Sequence, residues 1–379
     1  MNIKIEELIK LLPEGYQKEC FETKAIERQR KIKTPEELLV LCLYYLYGAS
    51  LIEASELAGL NGTEEISDVA FMKRFKKCNA WFQWMTVTMK PEATMHYQKP
   101  KILDPYNIVA LDASDVYTNG AVKQAWHLHY SVDLFSLNCS QFKITEGSTG
   151  ETLKNFTVQK NDLVIADRAY ATISGIEYCL ENGGDFILRI KNKPFNLYKE
   201  NKEKILLTDW LRELGSGVCE TTVYFKDSNK SFHPLRICAV PKTEEEIKAE
   251  EIKLKKKESK KQIKISDDTK FSHRYLFVVT SLPETFTAEE ILKLYRLRWQ
   301  VEMVFKRYKS ILGLGSVPGK SKEAIETWLN GKMLLALLIE KLLSNVDFSP
   351  SGKTGKKQKY MEGNKTGISF DIYSYNTKR

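Results

Sequence analysis

The chain has 379 residues, of which 42% are hydrophobic and 28% charged, a composition typical of folded proteins rather than disordered or fibrous ones. No apolar run approaches the roughly 20 residues of a membrane-spanning helix, and residues 1–16 lack the apolar core of a signal peptide. The seven cysteines are scattered and form no C-x-x-C pair, so we expect reduced thiols in a cytoplasmic protein. The surplus of 58 Lys and Arg over 49 Asp and Glu is compatible with a polyanionic partner.

Residues 1–95 have the pattern of a helical region. Pro35 opens an apolar helix, a shorter helix follows at 51–57, and Ser67 can cap a basic helix at 68–78. Two short helices, a glycine turn and a basic helix resemble a helix-turn-helix arrangement, in which the basic helix would read DNA bases. An ordinary helical bundle with a solvated lysine face has the same pattern, so both interpretations stay open.

From residue 106 the periodicity changes to that of strands. We expect strands and helices in the order strand 108–117, strand 126–134, strand 140–145, helix 151–156, strand 163–166, helix 173–182 and strand 185–191. The run at 163–166 is wholly apolar, as in a strand buried on both faces. This order predicts an α/β layer built on a mixed sheet.

Residues 193–270 interrupt that layer with strand candidates at 220–225 and 235–240. From Lys242 to Lys264 the chain has nine Lys and six Glu, which indicates either a solvated helix or a basic arm on a phosphate backbone. A strand at 275–280 and helices at 287–312 and 322–343 follow. The tail from residue 349 is rich in Gly, Lys, Asn and Ser, and we expect it to be poorly ordered.

The predicted helix 287–312 places charged side chains together at the border of its buried face. On a straight helix, Tyr295, Arg298, Glu302 and Lys309 fall within a stripe of about 60°, with Lys306 beside it. A carboxylate in such cationic company suits a phosphate held next to a metal-bound acid. The alternative is a surface ion pair.

Two further carboxylates stand where strands could present them as metal ligands. Asp112 interrupts an apolar strand, and Asp167 directly follows another. An ionised Asp in or beside a buried strand is costly unless it is paired or binds a cation such as Mg²⁺. For each Asp a turn or cap role is the alternative. His127 and His129 alternate onto one strand face, but the absence of a Cys or third His nearby disfavours zinc.

The spacing Y-x2-R-x3-E-x6-K at 295–309 resembles the signature of DDE transposases of the bacterial insertion-sequence four family. The D-A-S block at 112–114 resembles that family's first Asp block, and A-D-R-A-Y at 166–170 its second. The resemblance extends over about residues 34–343 and includes the interruption at 193–270.

The resemblance implies a ribonuclease-H-like catalytic core at 96–192 and 271–348. It also implies a helical DNA-end-binding domain at 1–95 and a β-rich insertion at 193–270, with the tail at 349–379. The implied partners are double-stranded DNA, both the element's terminal inverted repeats and the target, and a second copy of the chain in a synaptic dimer. Action at the bacterial nucleoid follows from these partners.

The resemblance further implies that Asp112, Asp167 and Glu302 hold two Mg²⁺ ions, which Mn²⁺ can replace, for cut-and-paste transposition by two-metal-ion phosphoryl transfer. The side chains implied to contact DNA phosphates are Tyr295, Arg298, Lys306, Lys309, Arg168 and Tyr170. Two other functions stay open: a metal-dependent nuclease or resolvase without strand transfer, and a non-catalytic DNA-binding relic of a transposase.

Overall fold

The computed structural model describes residues 5–60, 62–89, 99–118, 125–136, 138–190, 196–303, 306, 313–314, 316–318 and 321–344. Within these residues eleven strands join in one mixed sheet, and helices pack on both of its faces. The predicted mixed α/β class is therefore confirmed. The segment beyond residue 348 lies outside the described residues.

Helices occupy the chain before the sheet. Thr34 and Ser50 each form a capping box with the Glu three residues later, which fixes the starts of α3 and α4. Within the described residues these helices are α1 Ile5–Ile9, α2 Tyr16–Glu22, α3 Pro35–Tyr47, α4 Leu51–Gly59, α5 Asp68–Phe75 and α6 Asn79–Thr88.

The strands follow the sequence pattern closely where they are long. The strands are β1 Asn107–Thr118, β2 Ala125–Asp133, β3 Cys139–Glu146, β4 Asp162–Ala166, β5 Asp185–Arg189, β6 Leu197–Tyr198, β7 Lys204–Ile205, β8 Cys219–Lys226, β9 Phe232–Pro241, β10 Tyr275–Thr280 and β11 Ser316–Val317. Their order is β3-β2-β1-β4-β5-β10-β9-β8-β6-β7, with β11 beside β1. The strands of the 193–270 segment thus extend the same sheet through β10.

Strand direction changes at β1. The pairs β1–β4 and β4–β5 are parallel, whereas β2 and β3 run antiparallel to their neighbours. Parallel strands need crossover connections, and α7 (Ile173–Glu181) provides the one between β4 and β5. The parallel pairing places the carboxyl end of β4 beside the middle of β1.

The later helices depart from prediction at two points. They are α8 Leu207–Glu213, α9 Glu244–Lys261, α10 Asp267–Ser272, α11 Ala288–Arg296, α12 at 299–303 and α13 Lys322–Ser344. The predicted helix 151–156 is only a 3-10 turn at Leu153–Asn155. The predicted continuous helix 287–312 is interrupted by a turn at Leu297 and Arg298, between α11 and α12.

A single apolar cluster covers one face of the sheet and continues into the N-terminal helices. Helix α13 packs against α3 and α6 and forms the centre of this connection. At Gly331 a Cβ atom would lie 2.7 Å from a methyl carbon of Leu46 and 3.0 Å from the Phe82 ring, so α13 can approach only through a glycine. The N-terminal helices and the sheet thus share one core.

No helix among the described residues is long and apolar enough to cross a bilayer. All seven cysteines are free thiols, and six of them are buried.

Gly331→Val should reduce the free energy of unfolding by about 1–3 kcal/mol, the usual cost of overpacking a close-packed core. Gly59→Ala is the matched control, because this helical glycine has open space around its α-carbon and alanine favours helix. Chemical denaturation of both variants measures the effect. A Gly331→Val protein as stable as the wild type would show that α13 is not closely packed there.

Candidate active site

Asp112 and Asp167 come together through the register of β1 and β4. Ala110 lies opposite Ile165 in the parallel ladder, so continuing the register by two residues places Asp112 beside Asp167. Both positions share the strand parity of Ala110 and Ile165, whose side chains belong to the cluster beneath α11–α13. The sheet thus presents the two carboxylates on one face.

Each Asp is also fixed by its own backbone. Asp112 Oδ1 accepts the Ala113 N–H at 2.9 Å, and Asp167 Oδ1 accepts the Ala169 N–H at 2.7 Å. Asp167 therefore stands in a turn, and Asp112 within a strand, as the sequence pattern indicated.

Glu302 approaches this face from α12. The turn between α11 and α12 is tightened by i to i−3 hydrogen bonds, such as the Arg298 N–H to the Tyr295 carbonyl at 3.0 Å. Arg298 lies in the turn, and its Nη2 donates to Glu302 Oε1 at 2.5 Å. The predicted neighbourhood of Arg298 and Glu302 holds although the helix is broken there.

The Arg298 guanidinium lies between two of the acids. Besides the bond to Glu302, its Nη1 is 4.0 Å from Asp112 Oδ2, and the Arg298 side chain is only 16% exposed. Its Nε is buried without a hydrogen-bond partner among the described residues. The ion-pair alternative raised from the sequence is therefore the contact seen, and the i,i+4 spacing of Arg298 and Glu302 was its signal.

Asp112 lies in an environment that disfavours its ionised form. Burial is the main cause that raises the pKa of Asp112 to about 6. The Ala113 N–H and Arg298 oppose this rise, and the carboxylates of Asp167 and Glu302 add to it. Burial disfavours the charge of Arg298, yet Tyr295, Glu302 and Asp112 together raise its pKa above the ordinary value. Both members of this contact are thus partly withdrawn from water, and a further cation would stabilise the ionised Asp112.

The other side chains expected to contact DNA differ in their solvent exposure. Tyr295 is buried at 6% exposure, with the Arg298 guanidinium 5.9 Å from its ring centre. Lys306 is exposed and helical, Arg168 is half-buried, and Lys309 lies outside the described residues. The exposed position of Lys306 is open to a phosphate.

Tyr170 is a correction to the sequence analysis. Its side chain is fully buried in the cluster on the opposite face of the sheet, packed near Phe156. Because the chain turns after Asp167, Tyr170 lies on the other face of the sheet, where its buried ring cannot contact a DNA phosphate. Its nearness to Asp167 in sequence gave no sign of this reversal.

Neighbouring polar residues form separate pairs. Asp115 contacts Nε2 of His127 at 2.9 Å, and His129 Nε2 lies 2.9 Å from Thr145 Oγ1. Among the described residues, no three acidic, His or Cys side chains lie close enough to enclose a metal ion. The donors that do converge on Arg298 are carboxylate oxygens, which are the ligands preferred by Mg²⁺. The residues present therefore fit a hard divalent cation in kind.

Comparison with known protein families identifies the family to which the chain belongs. A family model described as a transposase DDE domain matches residues 104–339, more than half of the chain. The chain belongs to the DDE transposase family. The matched range contains all three acids and Arg298, and the family consists of enzymes that cleave and transfer DNA, generally with divalent metal ions.

Curated relatives agree with this assignment. The chain is 28% identical over 346 residues to the putative transposase InsL of insertion sequence element IS186A from Escherichia coli K12, a match covering 88% of this chain and 92% of that protein. The transposase of IS421 from Escherichia coli is similar at 28% identity over 347 residues, with the same coverage. The transposase of IS231E from Bacillus thuringiensis subsp. finitimus is 25% identical over 83% of this chain and 73% of its own length.

Asp112→Asn should stabilise the enzyme without added metal. The Asp112 carboxylate ionises near pH 3.8 in the unfolded chain and near pH 6 in the folded one. Ionisation of Asp112 therefore costs no folding stability well below pH 3.8 and its full amount above pH 6. About two pKa units correspond to at most about 3 kcal/mol. We expect a higher melting temperature for the variant near neutral pH and a difference that vanishes as the pH falls below 3.8.

Asp115→Asn serves as the control, because Asp115 is an exposed carboxylate on the same strand. Equal stabilisation by both substitutions, or a gain independent of pH, would contradict the burial penalty at Asp112.

Proposed function

We propose that this enzyme is the transposase of an insertion element, which binds the element's ends and catalyses metal-dependent cleavage and strand transfer in the bacterial cytoplasm. The observation that supports it best is the convergence of Asp112 and Glu302 on one guanidinium, with Asp167 in register beside Asp112. Transposase relatives that match nearly the whole chain support the same function.

The sheet topology supports a ribonuclease-H-like core within this proposal. The order β3-β2-β1-β4-β5 joins an antiparallel meander to two parallel neighbours, which agrees with the mixed sheet expected for such a core. We assign residues 96–192 and 271–348 to the core, 193–270 to the insertion and 1–95 to DNA-end binding. A synaptic dimer on double-stranded DNA completes the proposal.

Asp112, Asp167 and Glu302 would hold the Mg²⁺ ions. When bound, such cations activate the attacking oxygen and neutralise the leaving oxygen of an in-line phosphoryl transfer. Asp112 and Asp167 are positioned by the rigid ladder of β1 and β4, whereas Glu302 is held on a separate helix. The protein thus provides two carboxylates fixed on the sheet and a third carboxylate, Glu302, on helix α12.

Arg298 has a different task in this proposal. Its fork now neutralises Glu302 and approaches Asp112. A DNA phosphate offers the guanidinium a second, bidentate acceptor, so the approach of DNA would draw Arg298 from Glu302 towards the phosphate. Arg298 thereby frees a ligand at the moment that substrate arrives, with exposed Lys306 adding charge nearby.

Asp112→Asn, Asp167→Asn and Glu302→Gln should each reduce strand cleavage by more than the roughly 10- to 100-fold that loss of a supporting outer residue costs. DNA affinity should change little, because it comes mainly from cations on phosphates. Cleavage of a duplex that carries the element's end, in Mg²⁺ or Mn²⁺, measures the effect.

Asp115→Asn is the control for these variants. It also removes a carboxylate from β1, but Asp115 pairs with His127 and is not one of the three proposed ligands. Normal cleavage by any of the three acid variants would remove that residue from the ligand set. If the wild type joins the cleaved end to a supercoiled target plasmid, it is a transposase rather than a nuclease without strand transfer. If the wild type cleaves no DNA at all, it is a non-catalytic DNA-binding relic of a transposase.

Arg298→Ala should weaken DNA binding by about 1.5–3 kcal/mol for each charge-assisted hydrogen bond lost. The salt dependence of binding should flatten by about one unit of slope. Arg298→Lys should restore most of the slope but only part of the affinity, because an ammonium lacks the planar fork. Fluorescence anisotropy across a salt series provides both quantities.

Arg296→Ala is the matched control, because Arg296 is exposed, lies two residues away and carries the same charge. If Arg298→Ala lowers only the melting temperature and leaves the salt slope unchanged, Arg298 serves the fold alone.

A further inference from the structure

The segment 24–33, which joins α2 to α3, is the most basic loop of the N-terminal helical region. Its sequence K-A-I-E-R-Q-R-K-I-K contains five cations and one acid. Loops of this kind are usually mobile, and a mobile chain loses entropy when it binds a partner. Here, however, the loop is fastened to the bundle along its whole length.

Buried apolar residues anchor the loop from below. Ala25 is fully buried, and Ile26 and Ile32 are each only 3% exposed. Between these anchors the Gln29 side-chain amide donates to the Lys33 carbonyl at 2.8 Å. At the loop's end the Lys33 N–H donates to Glu37 of α3 at 2.6 Å. The backbone is thus fixed at both ends.

The cations of α5 and the turn after it complete the fastening. Arg74 donates through Nη1 to the Ala25 carbonyl at 3.1 Å and through Nη2 to the Arg28 carbonyl at 3.3 Å. Lys77 forms an ion pair with Glu27 at 2.7 Å. Two of the basic side chains that could have read DNA bases therefore support the neighbouring loop instead.

Three cations of the loop point away from these supports. Lys24, Arg28 and Arg30 are exposed, and none of them has an ion-pair partner among the described residues. The only acid of the loop, Glu27, is neutralised by Lys77. The result is a preorganised surface with unopposed positive charge, which favours a backbone of regularly spaced phosphates.

We propose that this loop surface, formed by Lys24, Arg28 and Arg30 and supported by Arg74, is a phosphate-binding surface for duplex DNA. The inference rests on the proposed function, because that function makes DNA the polyanion. It differs from the helix-turn-helix interpretation in that α5 positions the contact surface and the loop touches the DNA backbone.

The test uses the full chain with the double variant Arg28→Ala/Arg30→Ala and a fluorescently labelled duplex of mixed sequence. Loss of two phosphate contacts should lower the slope of log affinity against log salt by about two units. Affinity should fall about tenfold or more for each arginine. The melting temperature should stay unchanged because both side chains are exposed and unpaired, and Arg28→Lys/Arg30→Lys should retain most of the slope.

Lys255→Ala/Lys256→Ala on α9 is the matched control, since it removes two exposed cations from the other strongly basic element. Arg74→Ala should lower both affinity and melting temperature, because it releases the loop. A wild-type salt slope in the arginine variant, or an equal loss in the α9 variant, overturns this inference. A wild-type protein that binds no duplex at all instead overturns the proposed function.

Discussion

The shared guanidinium of Arg298 is the interaction on which the candidate site depends. Asp112 and Glu302 come from a strand and a helix far apart in sequence, and like charges in a partly dry site repel unless a cation lies between them. Arg298 supplies that cation at 2.5 Å from Glu302 and 4.0 Å from Asp112. Because burial raises the pKa of Asp112 in spite of Arg298, a further cation would stabilise the ionised carboxylate.

The fold supports this interaction with two elements of different rigidity. Asp112 and Asp167 each lie two residues beyond the last pair of the parallel ladder of β1 and β4, whose backbone bonds fix the distance between the strands. Glu302 belongs to α12, which follows a tightened turn and exposes Met303 at 43%. A rigid pair and a third acid on a less enclosed helix suit a site in which one ligand changes partner when substrate binds.

The sequence predicted those parts of the structure that depend on local patterns. The apolar runs 163–166 and 275–279 became β4 and most of β10, because a run of apolar residues is visible residue by residue. The break at Leu297–Arg298 has no glycine or proline to mark it, and the burial of Tyr170 depends on the path of a turn. The two-residue strands β6 and β7 are too short to show a period. Tertiary contacts decide such features, so local patterns did not reveal them.

The shared core gives the basic loop a fixed relation to the acids. Residues 24–33 rest on Ala25, Ile26 and Ile32, which belong to the same apolar cluster as Ala110 and Ile165 beneath the carboxylates. Helix α13 connects the two regions by packing on α3 and α6, closely enough that Gly331 leaves no space for a side chain. A DNA-binding segment on a flexible linker would find the cleavage site by diffusion. Here side-chain packing in the shared core sets the distance between the basic loop and the three acids. DNA bound at the loop would therefore lie at a fixed distance from the cleavage site.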